Sequence, residues 1–360
     1  MIRRPTIAET LDQLVRDGAI SDATRSSLGE TALGVEPEHT PWFVRLLTGL
    51  GAWVAAGLFL LFLVLSDIVT SEEDAIVGGL IFVVATTALR RMCSHDFWVQ
   101  LAMAGNVTGQ LLSIGGVIGA TESVSGTAVF ALFLEAALLA FYPDVVMRFL
   151  TAAGAAGALL AVAIDADTPV FADVVAIMTM IGGGWIWLAP ARWDLTAWGE
   201  RRLPAAYGLI LFGLGLLAAH VIAAQYPDYD PWMLAWPTTL GLSISFIALT
   251  LYIMRGYGLQ AISEPALVVL AATGLVCAAT YDSPGVIASL GVFALAVQRR
   301  SFVLLGIAFL FLVGFVIFFY YSLAATLLAK SGMLFGVGLV LLVLRFHLRA
   351  RWRVTEAKAS

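Results

Sequence analysis

Charge is scarce in this chain, and that scarcity settles its broad class. Asp, Glu, Lys and Arg make up 12% of the 360 residues, against about a quarter in ordinary soluble domains. Cysteine is rarer still: Cys93 and Cys277 lie far apart in the order of apolar runs, suggest no disulfide, and read as small apolar residues. Histidine is sparse, and no second His or Cys stands at ligand spacing from His220, so no metal site is expected. The chain also lacks a GxSxG elbow, an HExxH pair, a Walker loop and a GxGxxG turn, so neither an enzyme nor a cofactor is expected. Its basic residues are dispersed, which gives no footprint for nucleic acid. Residues 1–44 are polar and too long for the charged start of a cleavable signal, so none is expected.

Long uncharged runs take the place of all this, within a composition that is 60% hydrophobic. Each run is near the roughly 20 residues a helix needs to cross a bilayer. They are continuously apolar, without the alternation of an outer-membrane barrel. The expected fold is an all-α polytopic membrane protein of about 12 transmembrane helices, over 46–66, 75–89, 97–118, 126–142, 148–164, 170–188, 205–224, 233–254, 265–281, 284–298, 301–320 and 326–344. The second, fifth and tenth of these are short, and a re-entrant pair fits among them as well as full crossings do.

The connectors give an independent reading, because Lys and Arg in short loops stay cytoplasmic. Arg90 and Arg91, Arg148, Arg192 with Arg201 and Arg202, Arg255, and Arg299 with Arg300 fall in alternate loops. With the arginines of both termini and Lys358, 19 of the 20 basic residues sit on one side, and the exception is Lys330. The opposite loops carry Asp67, Glu72, Glu73, Asp74, Glu122, Asp165, Asp167, Asp228, Asp230 and Asp282. Both termini are therefore expected on the cytoplasmic side of the membrane. Pro41, Pro204, Pro265 and Pro284 stand where spans begin, and Trp98, Trp185, Trp187, Trp232 and Trp236 fall near the interfaces, as an aromatic belt does. The domain reading is a cytosolic helical arm (1–44), a transmembrane domain (45–346) and a basic cytosolic tail (347–360). In the arm, Thr6 and Glu9 form a capping box, Gly18 is a helix stop and Ser21 starts a second short helix.

Polar groups inside the spans are few. Glu135 is the sole charge in TAVFALFLEAALLAFY, residues 127–142. A charge at mid-bilayer costs about 2.5–3.5 kcal/mol on insertion scales, so this group is neutral, paired or facing a cavity. Asn106 and Gln110 lie one turn apart in the preceding span, with Gly105 and Gly109 beside them and Gly115 and Gly119 repeating the small-xxx-small spacing. They serve either as glue between helices or as the lining of a polar cavity shared with Glu135. Lys330, near the outer end of the last span, either snorkels to the interface or acts as a counter-charge. His220 reads as a hydrogen-bonded packing residue or a further binding group, and Asp173 as an interfacial residue in the outer turn of its span.

Near the carboxyl end, Tyr320-Tyr321-Ser322-Leu323, Thr326-Leu327-Leu328, Lys330-Ser331 and Gly336 resemble the end of a bacterial membrane-protein family catalogued as domain of unknown function 4401. The polar arm with Leu14, Gly18 and Ile20 resembles the same family and its relative numbered 2157. The resemblance implies a bacterial inner membrane and many spans. It also implies a second membrane protein as partner, one carrying a GDYxxLxY motif that this chain lacks. It brings Tyr320, Tyr321, Lys330 and Ser331 forward without assigning them a role.

Two functions follow as expectations. One is a small-solute or ion- or proton-coupled transporter, with Glu135, Asn106, Gln110, Lys330 and His220 as binding candidates. The other is a non-catalytic scaffold or assembly partner for a neighbouring membrane protein, docking through the arm.

Overall fold

The computed structural model describes residues 70–93, 95–189, 199–226, 232–256, 258–259 and 263–322, with isolated positions between 12 and 66 and at 335 and 342. Lys330, Ser331, the basic tail, about half of the first expected span and all of the last but Phe335 and Leu342 lie outside the described residues. Among the described residues, ten helices follow one another from residue 72 to residue 322: α1 (Glu72–Met92), α2 (Asp96–Thr121), α3 (Val124–Phe141), α4 (Val145–Asp165), α5 (Pro169–Leu188), α6 (Gly199–Ala223), α7 (Ala235–Gly256), α8 (Glu264–Ala279), α9 (Pro284–Gln298) and α10 (Phe302–Ser322). No strand occurs among the described residues.

Each apolar run expected between residues 75 and 320 is a helix. Eight of them, all but α8 and α9, are long and apolar enough to cross a membrane. The runs at 75–89 and 148–164, which look short in sequence, belong to helices of 21 residues each. In α1 the charged ends, Glu72 to Asp74 and Arg90 with Arg91, continue the helix past the uncharged run, and α4 starts earlier, at Val145, and runs on to Asp165. Acids at the amino end and arginines at the carboxyl end of α1 also suit the helix dipole. α8 and α9 span only 16 and 15 residues, about 24 Å at 1.5 Å per residue, short of about 30 Å of hydrocarbon.

Caps set the boundaries. Ser71, Ser123 and Asp144 accept backbone N–H groups in the first turns of α1, α3 and α4. Pro265 and Pro284 open α8 and α9. Pro204, by contrast, lies inside α6, because the helix begins at Gly199, upstream of the uncharged run. In the amino-terminal arm, Ser21 Oγ accepts Thr24 N–H at 3.2 Å, and Arg25 pairs with Asp12 at 2.6 Å.

The helices pack in sequence-neighbour pairs, α1 on α2, α3 on α4, α5 on α6 and α9 on α10, while α4 also lies against α6. The larger apolar core runs through α4 to α10, around Ala176, Ile210, Leu214, Ile287, Val292 and Leu304. A smaller one joins Val83 of α1, Leu138 and Tyr142 at the end of α3, and Met147 of α4. α1 and α2 approach backbone to backbone. A methyl group on Gly109 would come within 2.8 Å of Gly79 O, and one on Gly116 within 2.8 Å of Glu72 O. Gly115, expected in this stripe, faces open space instead, because one residue of helix rotates it away from the contact.

The two ends of the bundle differ in charge. At one end Arg90 pairs with Asp144 at 3.2 Å, Arg91 donates to Phe141 O at 2.8 Å, and Arg202 and Arg299 each donate to Ala189 O at 2.6 Å. At the other end Asp165 holds Ser125, and Thr239 donates to Tyr281 O at 2.7 Å. Trp98, Trp185 and Trp236 are exposed, as belt residues should be. Trp187 is a core residue instead: it is buried, donates to Leu295 O at 3.3 Å and stands edge-on to Tyr207.

Candidate functional site

Glu135 lies midway along α3 and is 7% exposed. Its carboxyl is directed at α4, where Gly154 leaves a notch. A methyl group on Gly154 would meet Glu135 Oε1 at 2.5 Å and the carboxyl carbon at 2.8 Å. Glu135 Oε2 is buried and has no hydrogen-bond partner among the described residues. Natural folds satisfy nearly all buried polar atoms, so a carboxyl oxygen left bare inside an apolar helix pair is costly to keep. The local sequence explains the geometry. AAGAAGA, residues 152–158, removes side-chain bulk from α4 where the longer side chain of α3 must fit.

Asn106 and Gln110 face another way. Asn106 Nδ2 lies within hydrogen-bond range of Val83 O at 3.1 Å, Thr86 Oγ1 at 3.1 Å and Thr87 Oγ1 at 3.2 Å, all on α1. Gln110 Nε2 donates to Asn106 Oδ1 at 2.9 Å. The two amides therefore form one network with the threonines of α1, and no hydrogen bond among the described residues joins it to Glu135. The glycine contacts around Gly105 and Gly109 bring α1 close enough for this network to form.

His220 sits in the last turn of α6, edge-on to Trp232 with ring centroids 5.7 Å apart. Tyr320 and Tyr321 end α10 and stand edge-on to each other, with Tyr321 exposed. No group of His, Cys, Asp and Glu able to hold a metal occurs among the described residues.

Two features go beyond the sequence reading. Asp173, read as interfacial, is fully buried. It accepts Leu234 N–H at 3.1 Å and Thr238 Oγ1–H at 2.6 Å, and so caps α7 from α5. The signal was weak: an acid in the first turns of one span and a Thr in the first turn of another, with no fixed spacing between them. The second is a corner at the basic end. There Asp144 caps α4 and pairs with Arg90, while the buried Arg148 donates to Tyr142 O at 3.3 Å. Tyr142 is fully buried, and its hydroxyl has no hydrogen-bond partner among the described residues. Asp144, an acid among basic loops, was the visible hint, and topology alone had accounted for Arg90 and Arg148.

A family profile described as Domain of unknown function (DUF4401) matches residues 41–351. No curated protein and no solved structure matches the chain.

Proposed function

The chain belongs to that family, whose match covers most of its length, and we propose that it is a transporter of a small cation or proton, with the Glu135 carboxyl as carrier. The observation that supports this is the buried Glu135 oxygen without a partner. An ionisable group inside a membrane domain is expensive, and such groups characteristically mark ion pathways. A carboxyl held by no hydrogen bond is also free to exchange a proton or a monovalent cation without dismantling a network. Taken up from one side, the proton neutralises the carboxylate, and released to the other it restores the charge. The Asn106–Gln110 network on the neighbouring helix pair holds α1 and α2 together beside this site.

In this reading the chain crosses a bacterial inner membrane 12 times, with both termini cytoplasmic. Lys330, in the last expected span and outside the described residues, is the counter-charge in this reading.

Ion or proton flux into proteoliposomes tests the proposal, followed with a pH-sensitive dye and with cation-selective indicators. Glu135→Gln keeps the size of the side chain and removes its charge. It should lower flux at least tenfold while leaving the thermal midpoint unchanged or raised. Equal flux from wild type and Glu135→Gln removes the carrier, and a silent wild type that co-purifies with a stoichiometric membrane partner through residues 1–44 transfers the role to assembly.

A further inference from the structure

Away from Glu135, an apolar cleft of about 640 Å3 lies between α5, α7 and α9, within the roughly 300–1,000 Å3 typical of small-molecule sites. Trp185 and Leu188 of α5, Ala248 and Tyr252 of α7, and Gly291 and Leu295 of α9 form its walls. All these helices end at the basic face of the bundle, and arginines gather where the cleft ends. Ala189, itself part of the lining, has its carbonyl oxygen held by both Arg299 and Arg202 at 2.6 Å. Arg255 lies three residues beyond Tyr252, on the same face of α7 one turn nearer the basic end. Arg299 lies four beyond Leu295 at the end of α9. Arg255 and Arg299 are both exposed, and among the described residues neither pairs with a carboxylate. Arg299 spends one donor on the Ala189 carbonyl and keeps further N–H groups of its guanidinium for an anion.

An apolar slot ending under several cations, with Trp185 and Tyr252 both exposed on its walls, matches a molecule with a long hydrocarbon tail and an anionic head. We propose that this cleft binds one anionic phospholipid of the cytoplasmic leaflet, its acyl chain lying between α7 and α9 and its phosphate contacting Arg255 and Arg299. Basic pockets between helices on the cytoplasmic side of a membrane are suited to such headgroups. Ser245, the polar side chain in the lining, already donates to Gly241 O at 2.7 Å, so the walls offer the tail an apolar surface.

The test titrates purified full-length protein in detergent with phosphatidylglycerol and with phosphatidylcholine of the same acyl chains, reading bound lipid by native mass spectrometry. Wild type should retain phosphatidylglycerol at least tenfold more tightly than phosphatidylcholine. The Arg255→Gln, Arg299→Gln double variant should bring the two lipids level, and Gly291→Phe should displace both. If Gly291→Phe fails to fold, Ala248→Trp fills the cleft from the opposite wall. The proposal is overturned by equal retention of the two lipids in wild type, or by undiminished phosphatidylglycerol binding in a filled cleft. It is equally overturned if the double variant loses thermal stability and keeps its lipid selectivity, which makes the arginines caps of α5 alone. A photo-crosslinker at Ala248 that attaches in bilayers to the chain's own residues 323–344 overturns it as well, by showing another occupant.

Discussion

Glu135 and Gly154 limit each other's size. The carboxyl occupies the space where any larger residue at 154 would place its first carbon. Gly154→Ala should therefore destabilise the wild-type protein and cost little in a Glu135→Ala background. The coupling in such a cycle should be about 1 kcal/mol or more, read from thermal midpoints in detergent. Equal costs in both backgrounds would mean that the carboxyl points elsewhere. Asp173 gives a second expectation. Its removal strips α7 of a buried carboxyl that accepts from both Leu234 N–H and Thr238 Oγ1–H, so Asp173→Ala should cost about 3 kcal/mol, while Thr238→Val, which removes one donor, should cost about 1 kcal/mol. Denaturation midpoints that rank the two in the opposite order would refute the cap. Glu135 was legible in sequence because one charge among apolar residues stands out unaided. Its notch was not, because nothing in AAGAAGA says which of its small residues meets α3. Asp173 was misread because the groups that satisfy it lie 61 and 65 residues downstream.

Among elements, the α1–α2 pair makes the sharpest prediction. Gly109→Ala pushes a methyl against Gly79 O and should cost about 1–3 kcal/mol. Gly115→Ala enters open space and should be neutral or stabilising by up to about 1 kcal/mol, since Ala is the better helix former. Thermal midpoints of the two variants separate a backbone contact from a general intolerance of substitution. Helix identity was readable here from apolar length alone. The facing side of α2 was not, because Gly105, Gly109, Gly115, Gly116 and Gly119 surround the helix and only the partner selects among them. α8 and α9 pose a different question. Arg255 precedes them and Arg299 follows, so the charge rule reads the same whether the pair crosses twice or turns back within the bilayer. A cysteine at Asp282, with Cys93 and Cys277 replaced by alanine, distinguishes the two. Labelling by an impermeant maleimide from outside the cell indicates two crossings, and labelling only after permeabilisation indicates a re-entrant pair. The 12-span reading expects the first result, and the shortness of α8 and α9 makes this the direct test of it.

For the whole molecule, the separation of arginines from acids predicts that cysteines placed at Glu122 and Asp167 label from outside in intact cells, and that those at Arg91 and Arg255 do so only after permeabilisation. The reverse pattern would invert the topology. This level was the most legible, because lipid penalises every buried charge and so writes the fold into composition. The arrangement of the helices was hidden for the same reason: one apolar surface resembles another until small residues and caps match. Among the described helices, α1 to α3 meet the rest chiefly through α4. Glu135, on α3 and pressed into α4, thus stands on the seam that joins the amino-terminal helices to the rest. Whatever changes the size or charge of that one side chain is felt where the two groups of helices are fastened together.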